Sequence, residues 1–170
     1  MTKLLGFSIV LLAALVFSLQ RIEDQKRLTA ALRSYGDMLE QMIGLLEIQA
    51  PPIPELLNML THCSEGAAAV FVESLSLSME NLGSESFYTL WQKSLSASDG
   101  GLDKEALQTL DSLGSILGRY DLKTQLDAIT SCLRILRQRQ EKLQQSLPQS
   151  RRLVLGVTLS AAMLLGIILI

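Results

Sequence analysis

The sequence holds one histidine, His62, and two cysteines, Cys63 and Cys132. The two cysteines have no metal-ligand spacing, which argues against a structural zinc site. The expectation is two reduced, half-buried thiols in a cytosolic domain. His62 and Cys63 are neighbours, and adjacent side chains on a helix point ~100° apart, so they do not face one another as base and nucleophile. There is no Gly-rich phosphate loop followed by Lys-Ser or Lys-Thr, and no metalloprotease signature. The acidic residues are scattered at helix-surface spacing. Aromatic residues make up only 5% of the chain, and the basic stretch from Arg134 to Lys142 has none, which suits lipid headgroups rather than nucleic acid. No segment alternates apolar and polar residues as a strand does, and no repeat or long low-complexity tract occurs. The expectation is a non-catalytic, all-α protein without a metal or cofactor.

What is present divides the 170 residues into two apolar ends and a mixed middle. Leu4 to Leu19 and Leu153 to Ile170 carry no charge. As helices they span ~24 Å and ~27 Å at ~1.5 Å per residue, near the ~30 Å of a bilayer core. The expected organisation is a transmembrane helix at 1–19, a helical bundle at 20–152 and a second transmembrane helix at 153–170. A second reading stays open: Val16-Phe17-Ser18 weakly resembles a signal-peptide cleavage site, and cleavage there would give an exported, C-terminally anchored helical protein with a structural or interaction role.

The net charge of −2 hides a segregation. Between Ser34 and Gly118 lie twelve acidic residues and two basic ones, Lys93 and Lys104. Arg21 to Arg33 carries four basic residues, and Arg119 to Arg152 carries eight. The cations thus sit on the inner side of both apolar ends, which by the positive-inside rule places the bundle in the cytoplasm.

Apolar spacing sketches about six helices. Leu28, Leu32, Tyr35, Leu39, Met42 and Leu46 alternate spacings of four and three, and no proline interrupts Gly6 to Gln49. Pro51 and Pro52 end that helix. Pro54 and Glu55 suit the first turn of the next, with Leu56, Leu57 and Leu60 as its apolar side. Ser64 is the expected cap of a third helix with Ala68, Phe71, Leu75, Met79 and Leu82 inward. Phe87, Leu90, Trp91 and Leu95 mark a fourth. Ser98-Asp99-Gly100-Gly101 reads as loop. Asp103 caps a fifth helix, whose Ala106, Leu110, Leu113 and Leu117 share a face and which is expected to end at Gly118. Asp121 starts a sixth. Its Leu122, Leu126, Ile129, Leu133, Leu136, Leu143 and Leu147 keep a heptad in which Gln140 is the one polar member.

The run Leu113-Gly114, Leu117-Gly118-Arg119, Asp121 and Gln125 resembles the Leu-Gly-x-x-Asp-x-x-x-Gln signature of the stage III sporulation protein AB family. The resemblance extends over the chain: an apolar N-terminal segment, the Pro-led Ile53-Pro54-Glu55-Leu56, a helical middle and an apolar end after Arg151-Arg152. Tyr120 departs from it, standing where a small Ser or Thr is expected. The resemblance implies a platform component of the secretion-like complex between mother cell and forespore, in the mother-cell (outer forespore) membrane. It further implies a soluble domain similar to the cytoplasmic domains of type II secretion and type IV pilus platform proteins. The implied partners are a cytoplasmic secretion-type ATPase and other membrane components of the complex. Two long helices, each ~45 Å for about thirty residues, would carry the Pro51–Pro54 corner and the Gly118–Asp121 turn to the end far from the bilayer. Gly118, Asp121 and Gln125 are expected to build that turn. A cap needs neither Arg119 nor Tyr120, so Arg119, Tyr120 and Glu55 are the expected partner-binding residues.

Overall fold

The structure is a computed structural model that describes the backbone of residues 2–98 and 101–169 and the side chains of residues 20, 23–98 and 101–145. Among the described residues there are six α-helices, one short 3-10 turn and no strand ladder. The helices are α1 (Thr2–Ile48), α2 (Ile53–Cys63), α3 (Gly66–Ser78), α4 (Phe87–Ala97), α5 (Lys104–Gly114) and α6 (Leu122–Leu169). The all-α expectation therefore holds.

Contacts divide the chain into two units, Arg27–Gln140 and a second made of Met1–Lys26 and Glu141–Ile170. The second unit consists of the outer parts of α1 and α6; its described side chains include an exposed Lys26–Glu23 ion pair at 3.8 Å. Among the described residues no helix is long and apolar enough to cross a membrane. The two expected spans, Leu4 to Leu19 and Leu153 to Ile170, lie outside the residues whose side chains are described. Helix α6 continues through Pro148.

Within Arg27–Gln140 the core follows the apolar spacing. Leu32, Tyr35, Leu39, Met42 and Leu46 of α1 are buried, as are Leu56, Leu57 and Leu60 of α2 and Ala68, Phe71 and Leu75 of α3. Leu90, Trp91 and Leu95 of α4 and Ala106, Leu110 and Leu113 of α5 join them. Four aromatics meet in this core. Phe71 meets Trp91 edge-on with centroids 4.9 Å apart, and Tyr35 and Phe87 flank the pair at 5.8 and 5.9 Å. Such tilted contacts match the positive ring edge to the negative face. Tyr35 keeps its hydroxyl bonded within this core, 3.2 Å from Ser98 Oγ.

Several details differ from the sequence-based expectations. The third helix is not capped by Ser64. Its N-cap, Glu65, makes no side-chain cap, and Ser34 of α1 accepts the Ala68 N–H at 2.9 Å instead. Gly66, at φ 60°, leaves room for that hydroxyl: a Cβ there would stand 3.3 Å from Ser34 Oγ. Ser98, expected in a loop, is the buried C-cap of α4; Asp99 and Gly100 lie outside the described residues. Leu82, expected inward, is 48% exposed, because α3 gives way to a 3-10 turn at Met79–Asn81 and loses its register. The thiols are not both half-buried. Cys63 is exposed, and Cys132 is buried on α6 between Ile129 and Leu136. Burial pushes the Cys132 thiol up to about 12.

Two arginines fasten α6 within this unit. Arg137 donates to Asp37 at 2.7 Å and to Glu40 at 2.8 Å on α1. Its guanidinium rests on Gly36, where a Cβ would come within 3.1 Å of Cζ. Burial alone would lower the Arg137 pKa, but the two carboxylates outweigh it and the net shift is upward. Arg139 bonds Asp103 and Glu105 at the start of α5. Asp103 also caps that helix, accepting the Ala106 N–H at 3.1 Å.

Candidate functional site

Helix α5 stops at Gly114, not at Gly118. The chain goes on in tight turns: Ile116 and Leu117 both donate to Leu113 O, at 2.9 and 3.1 Å, and Arg119 donates to Ile116 O at 3.3 Å. Gly114 is where the sequence reading missed a function. A Cβ on it would lie 2.3–2.5 Å from the Trp91 ring. The indole can approach α5 this closely only because nothing but hydrogen projects there, and it then donates Nε1–H to Leu110 O at 3.0 Å. The indole thus adds a side-chain donor to a carbonyl in the last turns of α5. The next residue, Asp111, accepts from Tyr88 Oη and Gln92 Nε2, both at 2.9 Å. Hydrogen bonding to the Asp111 carboxylate holds the Tyr88 hydroxyl above its ordinary pKa.

Gly118 has φ 73°, the left-handed conformation that reverses the chain. Gln125 then clasps the turn from one helical turn into α6. Its Oε1 accepts the Gly118 N–H at 3.3 Å, and its Nε2 donates to Tyr120 O at 2.7 Å. Asp121 caps α6, accepting from the Thr124 N–H at 3.2 Å and from Thr124 Oγ1 at 2.7 Å. The Thr124 side chain, helped by the backbone N–H, holds the Asp121 carboxyl below its ordinary pKa. Leu117 is buried beneath. The Gly-x-x-Asp-x-x-x-Gln spacing is thus a closed hydrogen-bond circuit: one residue to turn, one to cap, one to hold both sides.

Arg119 and Tyr120 stand outside that circuit. Both are exposed, Tyr120 by 57%. The Tyr120 backbone carbonyl serves the turn while its ring does not, which explains how a bulky residue fits where a small one was expected. Glu55 is exposed in the first turn of α2. The two segments adjoin, since a Cβ on Gly118 would lie 3.7 Å from Ile53 Cγ1, two residues before Glu55. Among the described residues neither Arg119 nor Glu55 is in an ion pair. Ile48 at 80% exposure and Leu122 at 39% add uncovered apolar surface on the flanking helix ends. Leu122 therefore is not the heptad core position the sequence suggests; the buried stripe of α6 in this unit is Ile129, Cys132 and Leu136.

A model of the Stage III sporulation protein AB family matches residues 3–170. The chain belongs to that family. A solved structure described as Stage III sporulation protein AB (SpoIIIAB) is similar to it with a TM-score of 0.63 at 18% identity, covering 72% of this chain and 97% of that one. At that identity the likeness is one of fold. Among curated proteins none matches. The protein is thus a sporulation component with a helical fold shared with a solved member of its family, and the Gly118–Asp121–Gln125 circuit is the part of the family-like signature with a visible structural job.

Proposed function

We propose that this family member is a non-catalytic membrane platform of the secretion-like complex between mother cell and forespore, and that it docks a cytoplasmic secretion-type ATPase through the α5–α6 turn. The observation that carries the docking site is the division of labour in that turn. Gly118, Asp121 and Gln125 spend their polar groups within the turn, while the exposed side chains of Arg119 and Tyr120 take no part in its bonds, beside the exposed Glu55. A cation and an aromatic ring on one exposed turn are the residue types that most often anchor protein interfaces. The membrane part of the reading rests on the uncharged segments Leu4 to Leu19 and Leu153 to Ile170 and on the cations inside each. In this reading the other membrane components of the complex pack against those segments, whose Gly156, Ala162 and Gly166 permit close helix approach. The test is affinity recovery of the full chain from membranes of sporulating cells. The ATPase is expected to come with it; recovery of the other membrane components without the ATPase would contradict the docking role.

A further inference from the structure

We propose that the outer face of α3 is a docking strip for a basic amphipathic helix of a partner protein. The thirteen residues of α3 contain one charged side chain, Glu73. Its inner face, Ala68, Phe71, Val72 and Leu75, is buried. Its outer face carries two exposed aliphatic side chains, Val70 at 54% and Leu77 at 67%, among Gly66, Glu73 and Ser74, and Leu82 follows at 48%. Val70 and Leu77 lie about two turns apart, ~10.5 Å along the axis and within ~20° of one another. Aliphatic side chains exposed opposite a buried face, two turns apart on one line, form a second apolar surface on the same helix. Within this unit only one side is covered.

Charge selects what covers the other. Glu73 lies between Val70 and Leu77 on the strip, and Glu65 and Glu80 flank it; all three are exposed. Among the described residues none of the three is in an ion pair, and Lys93 of α4 is held by Glu85 at 2.6 Å. From Ser34 to Gln92 the sequence has no lysine or arginine at all. An apolar strip edged with free carboxylates repels a copy of itself and repels anionic lipid headgroups. The chain's own α6 is already committed elsewhere in this unit, its Arg137 held by Asp37 and Glu40 of α1 and its Arg139 by Asp103 and Glu105 at the start of α5. The fitting occupant is a foreign helix with apolar anchors about seven residues apart and Lys or Arg between them, laid along α3. This surface is separate from the α5–α6 turn and does not depend on the reading of that turn.

The test places a photo-reactive benzoylphenylalanine at position 77 of the full-length chain in sporulating cells, irradiates them and sequences the adduct. The expected adduct is a Lys- or Arg-rich helical segment of another protein. Its yield is expected to fall about tenfold in Glu73→Lys/Glu80→Lys, the change given by ~1.4 kcal/mol of lost pairing. Reversing the basic residues of the captured segment is expected to restore it. Glu73→Gln/Glu80→Gln, with its helix content checked by circular dichroism, serves as the second variant should charge reversal disturb folding. An adduct to lipid, to a second copy of this chain or to a neutral or acidic segment would overturn the proposal. So would the absence of an adduct, or a yield indifferent to both variants.

Discussion

Gly114 and Gly118 stand four residues apart and are glycines for opposite reasons. Gly114 is buried in ordinary helical backbone, and what it supplies is space: the Trp91 ring occupies the position of the missing Cβ. Gly118 is exposed, with Ile53 3.7 Å away at its nearest, so space is not at issue there. What it supplies is a backbone at φ 73°. The first glycine belongs to a junction where shape decides; the second belongs to a turn where conformation and a few hydrogen bonds decide. The junction holds the bundle together. The turn holds two side chains, Arg119 and Tyr120, away from it.

The largest expected effect is at the junction. Gly114→Ala drives a methyl group into a fixed indole, and overpacking of this kind is expected to cost about 3 kcal/mol. Trp91→Leu in the same chain should return part of that by vacating the ring, although it also removes the indole bond to Leu110 O. Chemical denaturation of the single and double variants checks the pair. An additive double variant would mean that Trp91 and Gly114 do not share one contact. Gly118→Ala is expected to be milder, about 1–2 kcal/mol for an L-residue in the left-handed region, and indifferent to Trp91.

The thiols offer a comparison on the same footing. Exposed Cys63 should react with iodoacetamide in the folded protein, whereas buried Cys132 should react only at the rate of unfolding. Raising the pH sharpens this. The unfolded chain ionises Cys132 near its ordinary value of 9.0, and the folded chain does so only near about 12. The stability associated with the buried neutral thiol is therefore complete below the lower value and declines as the pH climbs between the two. Denaturation midpoints of Cys132→Ala should lack that alkaline decline. In intact cells, Cys63 shielded from a membrane-impermeant thiol reagent and labelled after permeabilisation is the outcome expected of a cytoplasmic bundle; labelling in unbroken cells would favour the exported reading.

The smallest effect concerns the other corner. Ala50, two residues past the end of α1, has φ 45°, a conformation that suits glycine better. Ala50→Gly should raise stability by no more than about 1 kcal/mol, because relief of strain is offset by the entropy glycine loses on folding. A loss of stability would show that the Ala50 methyl group packs more firmly than its exposure suggests.

Much of the fold was legible in the sequence because helix faces and caps are local. Apolar residues three and four apart named most of the buried positions of α1, α2, α4 and α5, with Leu28 and Phe87 only half-buried and buried Ala31 and Met38 unnamed, and Asp103 and Asp121 both cap as their side-chain chemistry implies. The turn motif was legible as well, though Gln125 acquired its reason only when its amide was seen to bond both Gly118 and Tyr120. What escaped was non-local. Ser34 caps a helix thirty-one residues away from its N-cap residue, Glu65. Gly114 answers a tryptophan from another helix, and Gly36 answers an arginine about a hundred residues on. Cys132 fell outside the leucine heptad, yet it is buried while Leu122 is not. Such pairings depend on which helices meet, and periodicity within one helix carries no record of that.

The claim at the centre is that the turn separates scaffold residues from docking residues, and one experiment addresses it directly. Thermal melting and ATPase recovery are measured on the same preparations of Arg119→Ala/Tyr120→Ala and of Asp121→Ala. The Asp121 variant loses its cap and should melt a few degrees lower, while retaining the ATPase as long as it is folded. The Arg119/Tyr120 variant should melt with the parent protein and lose the ATPase. An Arg119/Tyr120 variant that melts early, yet recovers the ATPase in full once folded, would contradict the account.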